Sequence, residues 1–414
     1  MEVKTKFLGN NDSEIELDFR EHIREDNKWF PTFLYSLKSE WINKGYNISD
    51  ILIRENKPIM VAPIKNYIPF MSSQHKMNFT PTKTQIQTVV RKFVEADKLS
   101  QGDMFEFSFV VEGLGVFRVS YSSDEQGVGM SIRYLTFNLP VMSNMKYPEF
   151  YKKFIEGLVI KSSVKIPFKD DKKIIETAGV KSGGLILHVG ATGSGKSTSI
   201  SSEVGYIADN ITGTIVTYEN PIEYRYTAVK APVRQFEIGK DITEDEDHTV
   251  FENIKRHILR NNPSVVVYGE ARTNQEIREV MDAAARGHLV FATIHASSVM
   301  EALTTLMGIV QDEPRLLENI LHAIVAHKLV SNKNGDFIPL YEILLPDSVI
   351  KNMIGKQELK QIATLFIKGD SGKDIGITFT KALNEAIKAD LLTPTEAERI
   401  RNSNYETQER KVEK

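Results

Sequence analysis

The decapeptide "GATGSGKSTS", Gly190 to Ser199, decides how this chain of 414 residues is read. Gly190-x4-Gly195-Lys196-Ser197 has the spacing of a phosphate-binding loop. Its glycines let backbone N–H groups wrap phosphates, Lys196 reaches the β and γ oxygens, and Ser197 is placed to ligate Mg²⁺. Gly190, Thr192, Gly193, Ser194, Gly195, Lys196 and Ser197 form the expected cradle. A glycine-rich turn can carry a lysine by chance. Here, however, "GLILHVG" before the motif reads as a short apolar strand, and "KSTSISSEVGYIADN" after it as a helix whose positive end meets the phosphates. ATP with Mg²⁺ is therefore the expected cofactor. The loop alone leaves open what the nucleotide is used for.

Hydrolysis also needs a positioned water. "SVVVYGE" is a β-rich apolar run ending in Glu270, and open α/β sheets bind ligands at the carboxyl ends of their strands. By itself an acid after a strand is most often a solvated loop residue; following a P-loop, Glu270 becomes the candidate to orient the attacking water. "TIVTYENPIEY" adds Glu219 and Glu223 after another strand, and "GHLVFATIHA" carries His288 and His295 on either side of a third. Histidines beside buried strands are usually structural. Without cysteines or an HExxH motif they do not read as a zinc site, and one of them is placed to sense a γ-phosphate.

Composition narrows the class. Net charge is −3, from 52 basic and 55 acidic residues, which argues against sequence-independent nucleic-acid binding. The absence of cysteine removes disulfides and thiolate chemistry and suits a reducing cytosol. No signal-peptide core opens the sequence, and no apolar run reaches the roughly 20 residues of a membrane helix, so a cytoplasmic protein docked to a membrane through partners is expected.

Along the chain, "NKWFPTFLYSLKSEWINKGY" and "TPTKTQIQTVVRKFVEADKLS" read as helices, and "MFEFSFVVEGLGVFRVSYSS" as a hairpin leading into "VGMSIRYL". The expected division is an extension over 1–40, an α+β domain over 41–138, a proline-broken linker over 139–150, a P-loop ATPase domain over 151–345, a helical segment over 346–400 and a polar tail over 401–414. The fold class is α/β, with strands and helices alternating around a parallel sheet covered on both faces.

Four ordered boxes then resemble the secretion ATPases of type II and type IV secretion and type IV pili, above all the PilT-like pilus retraction and DotB-like type IVB secretion branches. They are "GATGSGKST", "TYENPIEY", "IKRHILRNNPSVVVYGEAR" and "ARGHLVFATIHASS", and "DSVIKNMI" resembles a C-terminal signature of the PilT-like branch. The resemblance covers about residues 45–400. It implies a RecA-like ASCE domain behind a PAS-like N-terminal domain, in a homohexamer working on an inner-membrane platform protein. It further implies that Lys196, Ser197 and Thr198 bind nucleotide and Mg²⁺, that Glu270 is the catalytic glutamate, and that Glu219 and His295 complete the site. Arg118 of "GVFRVS" and Arg133 of "SIRYL" match arginines supplied to phosphates, although either could be an ordinary strand arginine. Asn220 departs from the usual aspartate, Asn262 and Ser264 replace acids, and "DITEDEDHTV" resembles an acidic insertion or an acid-rich first turn. The resemblance implies a pilus retraction motor, with a type IVB secretion or conjugation ATPase as alternative. A small-molecule kinase would need a substrate lid, and a slow nucleotide-gated scaffold would draw on Asn220.

Overall fold

A computed structural model describes residues 4–8, 14–18, 29–44, 48–62, 67–71, 79–93, 104–111, 114–136, 139–168, 171–181, 183–226, 229–332, 337–368 and 375–401. The chain divides into two compact units, Met1–Asn138 and Leu139–Lys414.

In the first unit β1 (Lys4–Leu8) and β2 (Glu14–Asp18) form an antiparallel pair. A six-stranded antiparallel sheet follows the order β5-β4-β3-β8-β7-β6, with β3 Asp50–Arg54, β4 Met60–Ala62, β5 Ile68–Pro69, β6 Phe105–Val111, β7 Gly115–Asp124 and β8 Gly127–Thr136. The expected hairpin is present, with Val111 opposite Gly115 across the β6–β7 turn. Alternation drives it: Phe117, Val119 and Tyr121 are buried while the residues between them are half-buried. The aromatic helix Trp29–Ser36, extended by a π turn over Leu37–Trp41, contributes Phe30, Phe33, Leu34 and Leu37 to the same core. Part of the stretch 1–40 is thus built into this unit rather than extending from it. The helix Lys83–Val90 starts at a capping box in which the Thr82 hydroxyl accepts from the Gln85 N–H and the Gln85 side chain accepts from the Thr82 N–H.

The second unit begins where a linker is expected, over 139–150. This stretch is instead packed down: Met142 and Tyr147, then Tyr151 and Ile155 of the helix Glu149–Glu156, bury against Ile200, Val204 and Ile207. Two prolines break the periodicity without freeing the chain. An antiparallel ribbon of β9 (Val159–Phe168) and β10 (Asp171–Val180) comes next, where strand–loop–helix alternation is expected from 151.

The main sheet has eight strands in the order β13-β12-β14-β15-β11-β16-β17-β18. These are β11 Gly184–Val189, β12 Ile215–Glu219, β13 Val233–Glu237, β14 Val265–Tyr268, β15 Leu289–Ile294, β16 Leu321–Ser331, β17 Phe337–Leu344 and β18 Gly376–Ile377. From β13 to β16 every pairing is parallel, and β17 and β18 add antiparallel strands at one side. Every residue of β11, β14 and β15 is buried, as continuous apolar runs covered on both faces require. The two faces bury separate clusters, one around Leu187, Tyr268 and Leu303, the other around Ile186, Val204 and Phe291. Beyond 346 the chain is mostly helical, with Ser348–Gly355, Leu359–Lys368, Phe379–Lys388 and a last helix over 394–401. "DSVIKNMI" begins at Asp347, whose carboxylate accepts from the N–H groups of Val349 and Ile350. The polar tail beyond Arg401 lies outside the described residues.

Candidate nucleotide site

Because β11, β12, β14 and β15 run parallel, their carboxyl ends share one edge of the sheet. The P-loop follows β11 at Gly190, Glu219 ends β12, Glu270 stands two residues after β14, and His295 directly follows β15. Four separated stretches of sequence are thereby brought to one edge by topology alone.

The loop is shaped to take an anion. Gly190, Gly193 and Gly195 have φ of 146°, 74° and 96°, values side chains resist. A Cβ on Gly190 would lie 2.7 Å from the carbonyl oxygen of His327, so this glycine is also required by contact. Gly195 caps the helix Lys196–Asn210 with no side-chain acceptor, whereas Thr249, Thr273 and Ser298 each cap their own helices with a hydroxyl. First-turn N–H groups left without a side-chain cap, at the positive end of a helix dipole, fit a phosphate. The buried Ser194 hydroxyl has no hydrogen-bond partner among the described residues. Lys196 Nζ donates to the carbonyls of Gly190 at 2.7 Å and Ala191 at 3.0 Å, so its ammonium rests on the loop it would leave for a phosphate. Burial lowers its pKa, and the carboxylates of Glu270 and Glu223 partly restore it. Thr198, expected at the nucleotide, shares a 2.9 Å hydrogen bond with the Tyr224 hydroxyl. Thr192 and Gly193 are exposed, and Ser197 lies half-buried in the helix's first turn, where its hydroxyl fits a magnesium ligand beside bound phosphates.

Glu270 has both oxygens engaged. His295 Nε2 donates to Oε1 at 2.5 Å, and Arg272 donates to Oε2 from Nε and Nη2, each at 2.6 Å. Burial pushes this carboxyl up, but the hydrogen bond and charge of Arg272, joined by His295, outweigh it and hold the group below its ordinary value. It therefore stands ionised and able to polarise water. Its loop is stitched to β15, with the Thr293 hydroxyl donating to the Gly269 carbonyl at 2.6 Å and the Ala271 N–H to the Thr293 carbonyl at 2.9 Å.

Glu219 sits deeper. Burial pushes its carboxyl up, against hydrogen bonds from the Thr217 hydroxyl at 2.6 Å and Gln235 Nε2 at 3.3 Å. His288 is buried and bonded to the Pro263 carbonyl at 2.7 Å, a structural role. Arg118 and Arg133 belong to the first unit, opposite each other across β7 and β8, with Arg133 Nε 3.3 Å from Asp50. Asn262 is the left-handed C-cap of the helix Val250–Asn261, at φ 42°, a backbone role asparagine suits better than an acid. In "DITEDEDHTV", Asp245 accepts from the Asp247 N–H, His248 and Asn253, tying the stretch into the start of that helix.

Two features escape a reading of the sequence. Arg272 gives no signal, being one exposed arginine among many. Beneath the loop, His188, Glu203 and His327 are buried, with His188 bonded to each of the other two. The signal for these was a histidine inside "LILHVG" and a glutamate on the apolar face of the following helix.

A model of the type II/IV secretion system protein family matches residues 164–363. Among curated proteins, the type IV pilus ATPase PilU of Pseudomonas aeruginosa is 30% identical over 298 residues, 70% of each chain. Among solved structures, the pilus retraction motor PilT with bound ADP superposes with a TM-score of 0.68 at 27% identity, covering 87% of this chain and 95% of that one. The Legionella pneumophila ATPase DotB shares the fold, with a TM-score of 0.72 over 93% of this chain and 98% of that one at 20% identity.

Proposed function

The chain belongs to the type II/IV secretion system protein family, and from that premise we propose that it is the motor of a type IV pilus, driving retraction. It is an ATPase. The observation that carries this reading is Glu270, ionised and held by His295 on the same sheet edge as the P-loop lysine.

In the proposed cycle, phosphates occupy the N-terminus of the helix Lys196–Asn210 and Lys196 leaves its carbonyl rest for the β and γ oxygens. Ser197 would hold Mg²⁺, which would supply positive charge to the phosphates when bound. Glu270 exchanges one of its present partners for the attacking water, and His295 holds the other oxygen in place. Arg118 and Arg133 supply positive charge to the phosphates within a homohexameric ring, and the ring acts on a platform protein at the cytoplasmic side of the inner membrane. No described helix is long and apolar enough to cross a membrane. Retraction is favoured by the chain's similarity to a type IV pilus ATPase and to a pilus retraction motor.

Deleting the gene and counting surface pili tests the assignment. Retraction predicts cells with excess pili and no twitching. Bald cells would mean assembly, and normal pili with lost protein or DNA transfer would mean a secretion ATPase. Purified protein that transfers phosphate to a small molecule but not to water would be a kinase. Binding without turnover would leave a scaffold.

A further inference from the structure

Four side chains with no place in that cycle form a buried array directly beneath the phosphate loop. His188 on β11 stands two residues before Gly190, Glu203 lies on the helix that leaves the loop, and His327 belongs to β16. All three are at most 3% exposed. His188 Nε2 is 3.2 Å from Glu203 Oε2, and His188 Nδ1 is 2.8 Å from His327 Nε2. The Tyr151 hydroxyl, from the helix Glu149–Glu156, donates to both Glu203 oxygens at 3.2 and 3.3 Å. One set of tautomers satisfies both contacts: where His188 Nε2–H donates to Glu203, His188 Nδ1 is left to accept from His327 Nε2–H. Burial, with His188 and Lys196 beside it, keeps His327 neutral.

We propose that this array is the positioning frame of the phosphate loop, setting the distance between the strand that enters it and the helix that leaves it. The His188–Glu203 bond ties those two elements across the loop. His327 extends the tie to β16, whose carbonyl at that residue packs against Gly190. A loop with three positive-φ glycines has little stiffness of its own, so its shape must be imposed from its ends. Apolar side chains would fill the same volume but are not directional; hydrogen bonds at these distances specify one register. Tyr151 is the fourth anchor and joins the packed-down entry segment to the same frame. The role rests on the nucleotide-site reading.

The decisive variant replaces the whole array with apolar groups: His188→Leu/Glu203→Leu/His327→Leu/Tyr151→Phe. It leaves no member of the array as a buried orphan, and such replacements are often neutral for stability. Thermal melting and circular dichroism score folding, a fluorescent ADP analogue scores binding, and steady-state assays separate KM from kcat. In the folded variant, ADP binding should weaken and KM for ATP rise about tenfold or more, with kcat falling less than about threefold, because Glu270 and His295 are untouched. Glu203→Gln keeps an acceptor for His188 and Tyr151 and should stay within about threefold of wild type. A folded apolar variant with wild-type ADP affinity and KM overturns the proposal, as does a kcat loss that matches the KM rise. If the apolar variant does not fold, Tyr151→Phe decides: weakened ADP binding with unchanged melting supports the frame, and unchanged binding overturns it. Wild-type protein that binds no ADP removes the nucleotide site itself and this role with it. Normal binding by wild type and apolar variant alike removes the frame alone.

Discussion

Arg272 closes on Glu270 through two nitrogens, Nε and Nη2, each 2.6 Å from the same carboxylate oxygen. The arginine side chain is 68% exposed and the glutamate 27%, so the partner that can move away is the arginine. The glutamate is thus ionised and aimed, but not yet open to water at that oxygen.

Glu270→Gln keeps the side chain's size and removes the charge that polarises water. ATP binding should be unchanged and hydrolysis slower by roughly 10²–10⁴-fold, the range for a lost general base. Equilibrium binding alongside single-turnover hydrolysis separates the two. Binding that falls in parallel would make Glu270 a direct magnesium ligand or a structural group.

Arg272→Ala should move the acid limb of the pH–kcat/KM profile upward. The sign follows from the cause: Arg272 holds the Glu270 carboxyl below its ordinary value, so its removal lets that value rise and the active, ionised form is lost at a higher pH. The profile is read over the range in which circular dichroism shows the protein folded. An unmoved acid limb would mean that Glu270 is not the base.

Lys196→Ala should leave no more than a few per cent of wild-type turnover, since the phosphates lose their point charge. The same variant tests the ring. An Arg118→Ala/Arg133→Ala protein should be inactive alone and regain activity when mixed with Lys196→Ala subunits, because some interfaces then pair an intact loop with intact arginines. No rescue in confirmed mixed rings would place the arginines' action within one subunit. Full activity of the double arginine variant would remove them from the site.

Thr273→Ala should cost about 1 kcal/mol of stability, the usual loss at a helix N-cap, and slow turnover more than that loss accounts for. Thr273 Oγ1 accepts from the Glu276 N–H at 3.2 Å, and Glu276 in return holds the N–H groups of Arg272 and Thr273. Melting temperature and kcat measured together check it. A destabilised variant with unchanged kcat would show that the cap does not position the glutamate.

Much of this site was legible because a parallel sheet obeys a simple rule. Once "GLILHVG", "TIVTYE", "SVVVYGE" and "HLVFATI" read as buried strands, Glu219, Glu270 and His295 had to reach the same edge as Gly190. The hairpin turn at Val111–Gly115 was equally readable. What stayed hidden depends on contacts between distant residues. Prolines at 140 and 148 mark broken periodicity, but only the burial of Tyr147 and Tyr151 against the P-loop helix reveals a docked segment. The antiparallel pairing of 159–168 with 171–180 was masked by the expectation of a βα repeat. Arg272 and the His188–Glu203–His327 array hold ordinary residue types at unremarkable spacings, so their roles appear only in three dimensions.

The cap at Thr273 also ties the loop that carries Glu270 to the helix Asn274–Ala285. Only Ala271 and Arg272 separate the glutamate from that cap, and Glu276 grips the N–H of Arg272 at 2.6 Å. One turn further along, Arg278 is tethered to Glu313 at 2.6 Å and to the Ile309 carbonyl at 3.4 Å. The loop that carries the glutamate is thus held from two sides, by this helix and by the bonds of Thr293 on β15 to Gly269 and Ala271. A substitution at Arg278 or Glu313 is therefore expected to disturb the aim of a carboxylate that neither residue touches, and a loss of turnover there would be misread as contact with the nucleotide.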